Sequence, residues 1–180
     1  MTHPNLLALN HHFAATPAFA FALWSDPALV SAWWGPEHHH LTTCQIDFRP
    51  GGTWRFNMNN GKDNWAHGTY HQIIPDQRLM FSYRFPMFAV QSIISLTFTP
   101  EGTGTRLHFL QTGFPNEEHF IGHKGGWTST LSILEDLLLR LNGIGSVYPT
   151  LPPAHRSAVA EDLAEARRRH DEALTAAPAP

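Results

Sequence analysis

Histidine is where chemistry would begin in this chain, with thirteen among 180 residues. Three stand together as His38-His39-His40. Neighbours on an extended loop point to opposite sides, so all three cannot close on one ion. Two of them with a third ligand could hold zinc, but only Glu37 and Cys44 lie near in sequence. A solvated loop with no metal is the expectation. His119 and His123 have the i, i+4 spacing of two ligands on one helix face. The residues between them, Phe120-Ile121-Gly122, lack the glutamate of an HExxH motif. His123 shares a helical stripe with Phe120 and Trp127, so it is expected as a single polar group on a pocket wall. Its ordinary pKa would suit a general base at neutral pH. A base needs an orienting partner, and the sequence shows no acid that reaches it.

Trp127 follows Gly125-Gly126, and this pairing is the strongest local signal. A glycine notch beside a large ring would be wasted in a filled core. Trp127 is therefore expected to line a cavity. Its expected companions are Trp34, Trp54, Phe56, Tyr70, Phe81, Tyr83, Phe85, Phe98 and Leu131. Tyr70 and Tyr83 bring hydroxyls that need partners if buried and that could fix the polar end of a ligand. Cys44 lies in a strand with apolar neighbours on its face, where a thiol is inert. No GxSxG, phosphate-cradling loop or dinucleotide fingerprint is present. No catalytic residue and no cofactor are assigned.

The element that must position His123 and Trp127 is the stretch FPNEEHFIGHKGGWTSTLSILEDLLLRLNG, residues 114–143. Asn116 can cap it, Glu117 and Glu118 suit its first turn, and Gly143 can stop it. Phe120, Trp127, Leu131, Leu134, Leu138 and Leu141 recur at helical steps. Gly122, Gly125 and Gly126 should each weaken the helix by about 1 kcal/mol relative to Ala. The apolar C-terminal half is suited to packing, and the notched N-terminal half to close approach by something else.

Upstream, LLALNHHFA (6–14) reads as a strand. Thr16-Pro17 and Asp26-Pro27 each start a short helix, the second ended by Gly35-Pro36. From residue 41 to 113 period-two alternation with turn punctuation predicts six strands, and so an antiparallel meander. Turns are expected at Arg49-Pro50-Gly51-Gly52, at Asn59–Asp63, at Pro75-Asp76-Gln77 and at Pro100–Gly104. A long helix and a curved sheet can bury each other's apolar faces and leave a cavity at the notched end. Residues 144–153 read as a linker, and 154–175 as a helix with a thin apolar stripe (Val159, Leu163, Ala166, Leu174). That helix is expected to pack on the domain or a second subunit, or else to stay mobile. The run Arg167-Arg168-Arg169 is expected as a solvated face. The final AAPAP is expected to be disordered.

Composition narrows the function classes. A net charge of -3 argues against nucleic acid, which calls for a basic face. One cysteine cannot form an internal disulfide, which fits a reducing compartment. No run approaches the ~18 apolar residues of a membrane helix, and the N-terminus lacks the pattern of a signal peptide. A cytoplasmic location is expected.

Several strings, in order, resemble the SRPBCC proteins: FAATPAFAFALWSDPALVSAWWGP, CQIDFRPGGTWRF, HGTYHQIIPDQRLMFSY, LTFTPEGTGTRLHFLQTGFP and HKGGWTSTLSILEDLL. They look closest to the subgroup named after the C-terminal domain of the activator of Hsp90 ATPase. The match spans roughly residues 8–141, whereas eukaryotic activators carry an additional domain ahead of it. The resemblance implies an α+β helix-grip fold. In that fold a curved antiparallel sheet wraps a long C-terminal helix, with two short helices after the first strand. It also implies a deep pocket for a hydrophobic ligand, on a scaffold that hosts binders, cyclases, hydrolases and resistance proteins.

The expected organisation is a ligand-binding domain over 1–145, then a linker and helical tail over 146–180. The expected function is non-enzymatic binding of a small hydrophobic or aromatic molecule, such as a polyketide, a lipid-like acid or a xenobiotic. Two alternatives stand beside it: a cyclase or dehydratase acting on a polyketide-like substrate, and a co-chaperone-like interaction module. Nucleic acid and membrane are not expected partners; a homodimer is possible.

Overall fold

The computed structural model describes residues 5–58, 65–85, 90–140 and 153–176. Among the described residues seven strands and four helices follow in the order β1 (Leu6–Phe13), α1 (Pro17–Ser25), α2 (Pro27–Trp33), β2 (Leu41–Ile46), β3 (Thr53–Met58), β4 (Trp65–Ile74), β5 (Arg78–Tyr83), β6 (Ser92–Glu101), β7 (Gly104–Thr112), α3 (Glu117–Arg140) and α4 (Pro153–Ala176). The sheet order is β1-β7-β6-β5-β4-β3-β2, antiparallel throughout. Six strands thus form the expected meander, and β1 returns to pair with the last of them. This is the helix-grip architecture.

The local signals act as their chemistry requires. Thr16 Oγ1 accepts from the Phe19 amide at 3.4 Å, with Pro17 at the first helical position. Asp26 Oδ1 accepts from the Ala28 amide at 2.9 Å and starts α2. Asn116 Oδ1 accepts from the His119 amide at 3.0 Å and starts α3, with Glu117 and Glu118 in its first turn. The expected turn at Asn59–Asp63, the stop at Gly143, Leu141 of the helical stripe, most of the linker and all but the first residue of the AAPAP end lie outside the described residues.

Alternation along the strands sends Trp54 and Phe56 of β3, Leu79 and Phe81 of β5, Ile94, Leu96 and Phe98 of β6, and Leu107 and Phe109 of β7 into the core. They meet Leu131, Leu134, Leu137 and Leu138 of α3 and the inner face of α1 and α2. The fully buried Trp33 donates its indole N–H to Leu23 O at 2.6 Å, tying the two short helices together.

The second half of the chain corrects one expectation. Arg167 is not solvated; only Arg168 and Arg169 of the run face water. Val159 and Leu163 of the stripe are buried and Ala166 partly so, which packs most of it on the domain, while Leu174 stays exposed. The Arg167 guanidinium reaches across to the end of α2. Nη1 donates to Trp33 O at 2.8 Å and Gly35 O at 3.0 Å. Nη2 donates to Pro36 O at 2.7 Å and His39 O at 3.0 Å, and Nε donates to Asp171 at 3.1 Å. A guanidinium has five N–H donors in a rigid fork, and here each finds an acceptor. It caps the last carbonyl of α2, which a helix cannot satisfy internally. Reading a triplet of arginines by composition alone gave no way to separate this one from its neighbours. Among the described residues no helix is long and apolar enough to cross a membrane.

Candidate functional site

The notched half of α3 lies over the open end of the sheet. Between them is a cleft of about 420 Å³, a size that suits a small organic ligand. Its described lining includes Trp34, Gly35 and Pro36 after α2, Met58 at the end of β3, and Tyr83 and Phe85 at the end of β5. Glu118, His119, Gly122, His123, Gly126, Trp127 and Thr130 of α3 complete it. A Cβ built on Gly122 or Gly126 would meet nothing within 4 Å, so these glycines do leave space. Gly125 faces the other side of the helix, along an outer groove with Lys124 and Ser129.

The floor is aromatic. Trp127 is 6% exposed. Its ring sits 4.8 Å from Phe109 and 5.2 Å from Trp34, the latter edge-on at 86°. Tyr83 packs 5.6 Å from His123 at 82°, and Phe114 5.5 Å from the same imidazole. Edge-to-face pairs at such distances add about 0.5–1.5 kcal/mol each beyond area burial.

The expected ligand contacts therefore separate into two groups. Trp34, Tyr83, Phe85, His123 and Trp127 border the cleft. Trp54, Phe56, Tyr70 and Phe81 instead surround an inner void of about 10 Å³ with Trp24 and Trp34, room for one water at most. Phe98 and Leu131 are packed in the core at 3% and 0% exposure. Alternation gave all of these one inward face, but it could not say how far along the sheet the helix pulls away. Trp34 belongs to both groups, a single ring between cleft and void.

Sequence reading missed the residue that organises the polar part of the site. Gln111, on β7, is completely buried. Its Oε1 accepts from Trp127 Nε1 at 2.9 Å. Its Nε2 donates to Ser92 Oγ at 2.8 Å and to His123 Nδ1 at 3.0 Å. Ser92 Oγ in turn donates to Tyr83 O at 3.2 Å. The signal was available: in TRLHFLQT, the alternation that turns Leu107 and Phe109 inward also turns Gln111 inward. A polar side chain on a core face requires a partner. The group against His123 Nδ1 is thus an amide. Burial, and then the neighbouring His119, push its pKa down to about 4.

The remaining candidates do not assemble into a reactive centre. Burial pushes the Cys44 thiol up to about 11 and raises the Tyr70 and Tyr83 phenols above their ordinary value. His119 Nδ1 lies 2.6 Å from Asn116 Oδ1 on the outer first turn of α3. His39 Nδ1 lies 2.8 Å from Glu37 O, within the loop held by Arg167. Among the described residues no group of three or more His, Cys, Asp or Glu is placed to hold a metal ion.

Comparison with known proteins agrees with this architecture. The family model described as activator of Hsp90 ATPase homolog 1-like protein matches residues 14–139. An AHSA1 protein from Silicibacter pomeroyi superposes with a TM-score of 0.65 at 29% identity, over 74% of this chain and 97% of that one. Protein CV1439 from Chromobacterium violaceum gives 0.63 at 26% identity, over 75% and 98%. DynU16, a protein of the dynemicin biosynthetic locus, gives 0.63 at 18% identity, over 75% of this chain and 47% of its own; that level of identity speaks for the fold alone. Among curated proteins none matches. With seven antiparallel strands gripping α3 and the family's pattern running from before α1 to the end of that helix, the chain belongs to the activator of Hsp90 ATPase homolog 1-like family of the SRPBCC superfamily.

Proposed function

We propose that the protein binds a small, largely apolar, ring-containing molecule in the cleft between α3 and the end of the sheet. The observation that carries this reading is the pair Gly122 and Gly126. Space stands open above them while Trp127, Trp34 and Tyr83 form an aromatic floor below. Trp34, Tyr83, Phe85, His123 and Trp127 are the proposed contacts. Burying a flat ring there gains about 25 cal/mol per Å² of apolar surface removed from water.

The rival readings receive less support. A cyclase or dehydratase would need a base with an open lone pair, and the lone pair of His123 Nδ1 is directed at Gln111. An interaction module would fit a filled interior better than this cleft. The family name does not carry a chaperone role over to this chain.

Native mass spectrometry of freshly purified protein tests the proposal, followed by titration of tryptophan fluorescence in the wild type and in Trp127→Phe. A copurifying small molecule, or saturable quenching that the variant loses, is the expected result. An empty protein whose fluorescence no apolar probe perturbs would sink it.

A further inference from the structure

Arg167 comes from outside the part of the chain that the family model covers. That model matches residues 14–139, and α4 (Pro153–Ala176) lies beyond it. Yet its guanidinium, in a residue only 5% exposed, ends in the loop that carries one wall of the cleft. Nη1 holds the carbonyls of Trp33 and Gly35, one on each side of Trp34. Nη2 holds those of Pro36 and His39. Trp34, Gly35 and Pro36 line the cleft, and the Trp34 ring also borders the inner void.

The backbone of this loop needs outside support. Gly35 has φ 116° and His38 φ 62°. The second is a left-handed conformation that an L side chain rarely takes. Such a residue persists where its surroundings over-determine it. A Cβ on Gly35 would meet His39 O at 2.7 Å, so the loop closes tightly on itself. Four carbonyl oxygens turned toward one point need donors there. A buried guanidinium needs acceptors just as strongly. Each half therefore requires the other. We infer that Arg167 is a positioning residue of the cleft: through it α4 sets where Trp34 and the wall beside it stand, and so how tightly a ligand is held. The assignment rests on the cleft being the ligand site.

Without the guanidinium, affinity falls by the fraction of time the loop still lines the cleft. The test is binding of N-phenyl-1-naphthylamine, followed by its fluorescence, to wild type, Arg167→Ala and Val159→Ala. All three are compared at a temperature where circular dichroism shows them folded. Val159 is buried in the same helix, about two turns from Arg167 and outside the cleft lining. Its truncation weakens the packing of α4 but keeps the guanidinium. Arg167→Ala should bind at least about tenfold more weakly, and Val159→Ala within about twofold of wild type. Fluorine NMR of protein labelled with 5-fluorotryptophan, with the Trp34 line assigned through Trp34→Phe, gives a readout that needs no ligand. That line should move in Arg167→Ala and stay in place in Val159→Ala. If the alanine variant does not fold, Arg167→Lys takes its place, since an ammonium keeps the charge but not the fork. Wild-type affinity in a folded Arg167 variant, or an equal loss in Val159→Ala, would overturn the inference. A wild type that binds no probe while the Trp34 line still moves would overturn the ligand site and leave the positioning of Trp34 standing. A Trp34 line that does not move would overturn the positioning itself.

Discussion

Replacing the helical glycines of α3 with alanine separates what they do for the fold from what they do for the site. Gly122, Gly125 and Gly126 all lie inside a helix, and a Cβ on any of them meets nothing within 4 Å. No clash therefore opposes the intrinsic gain of about 0.5–1 kcal/mol per Gly→Ala change. Part of that gain comes from a less disordered unfolded chain. The triple variant should be more stable by roughly 1.5–3 kcal/mol, with small departures from additivity because Gly122 and Gly126 are helical neighbours. For a chain of this size that raises the melting temperature by about 3–12 °C. Urea and thermal unfolding followed by far-ultraviolet circular dichroism measure it without relying on Trp127. Bulkier changes should then part company. Gly126→Leu fills cleft space, and losing about 50 Å² of ligand contact lowers affinity for an apolar aromatic probe roughly tenfold. Gly125→Leu, on the outer face, should leave affinity unchanged. Destabilisation by all three alanines, or equal loss of binding from the 125 and 126 variants, would refute the reasoning.

Further outcomes follow from the same geometry. Arg167→Ala removes the donor from four backbone carbonyls and should cost about 3 kcal/mol or more in urea unfolding. Arg167→Lys should restore little, since one ammonium cannot replicate the fork; a loss under 1 kcal/mol for alanine would contradict the clamp. His123 has a folded-state pKa of about 4, against an unfolded value of about 6.5. Between those values the unfolded chain binds the extra proton, so stability is full above about pH 6.5 and falls as pH drops toward 4. The loss is at most about 3 kcal/mol, less because the ring is partly exposed. The difference between wild type and His123→Asn across that window isolates this contribution, and parallel curves would argue against it. Cys44 should react slowly with a thiol-specific reagent at pH 8 in the folded protein and at once in urea, because partial burial keeps it a thiol rather than a thiolate; rapid reaction without denaturant would contradict that.

The elements were legible because each carries its own punctuation: Thr16-Pro17 and Asp26-Pro27 for the short helices, Asn116 for α3, alternation for the strands. The cleft was legible only through the glycines beside Trp127, and there incompletely. Helical spacing turns Gly126 to the cleft and Gly125 away, but the sequence alone gave the two equal weight. Trp54, Tyr70 and Phe98 look identical to Tyr83 and Phe85 in the strand pattern. What separates them is how far the helix axis diverges from the sheet, a quantity no local window holds. Arg167 was misread for a similar reason, since its partners are the carbonyls of residues 33–39, far back in the chain.

That distance has a consequence for how the site is completed. Trp34, Gly35 and Pro36 belong to the wall of the cleft, and the cation that fastens their loop is synthesised after every other residue of the site. A nascent chain can thus grip α3 and present an aromatic hollow before its wall is buckled shut.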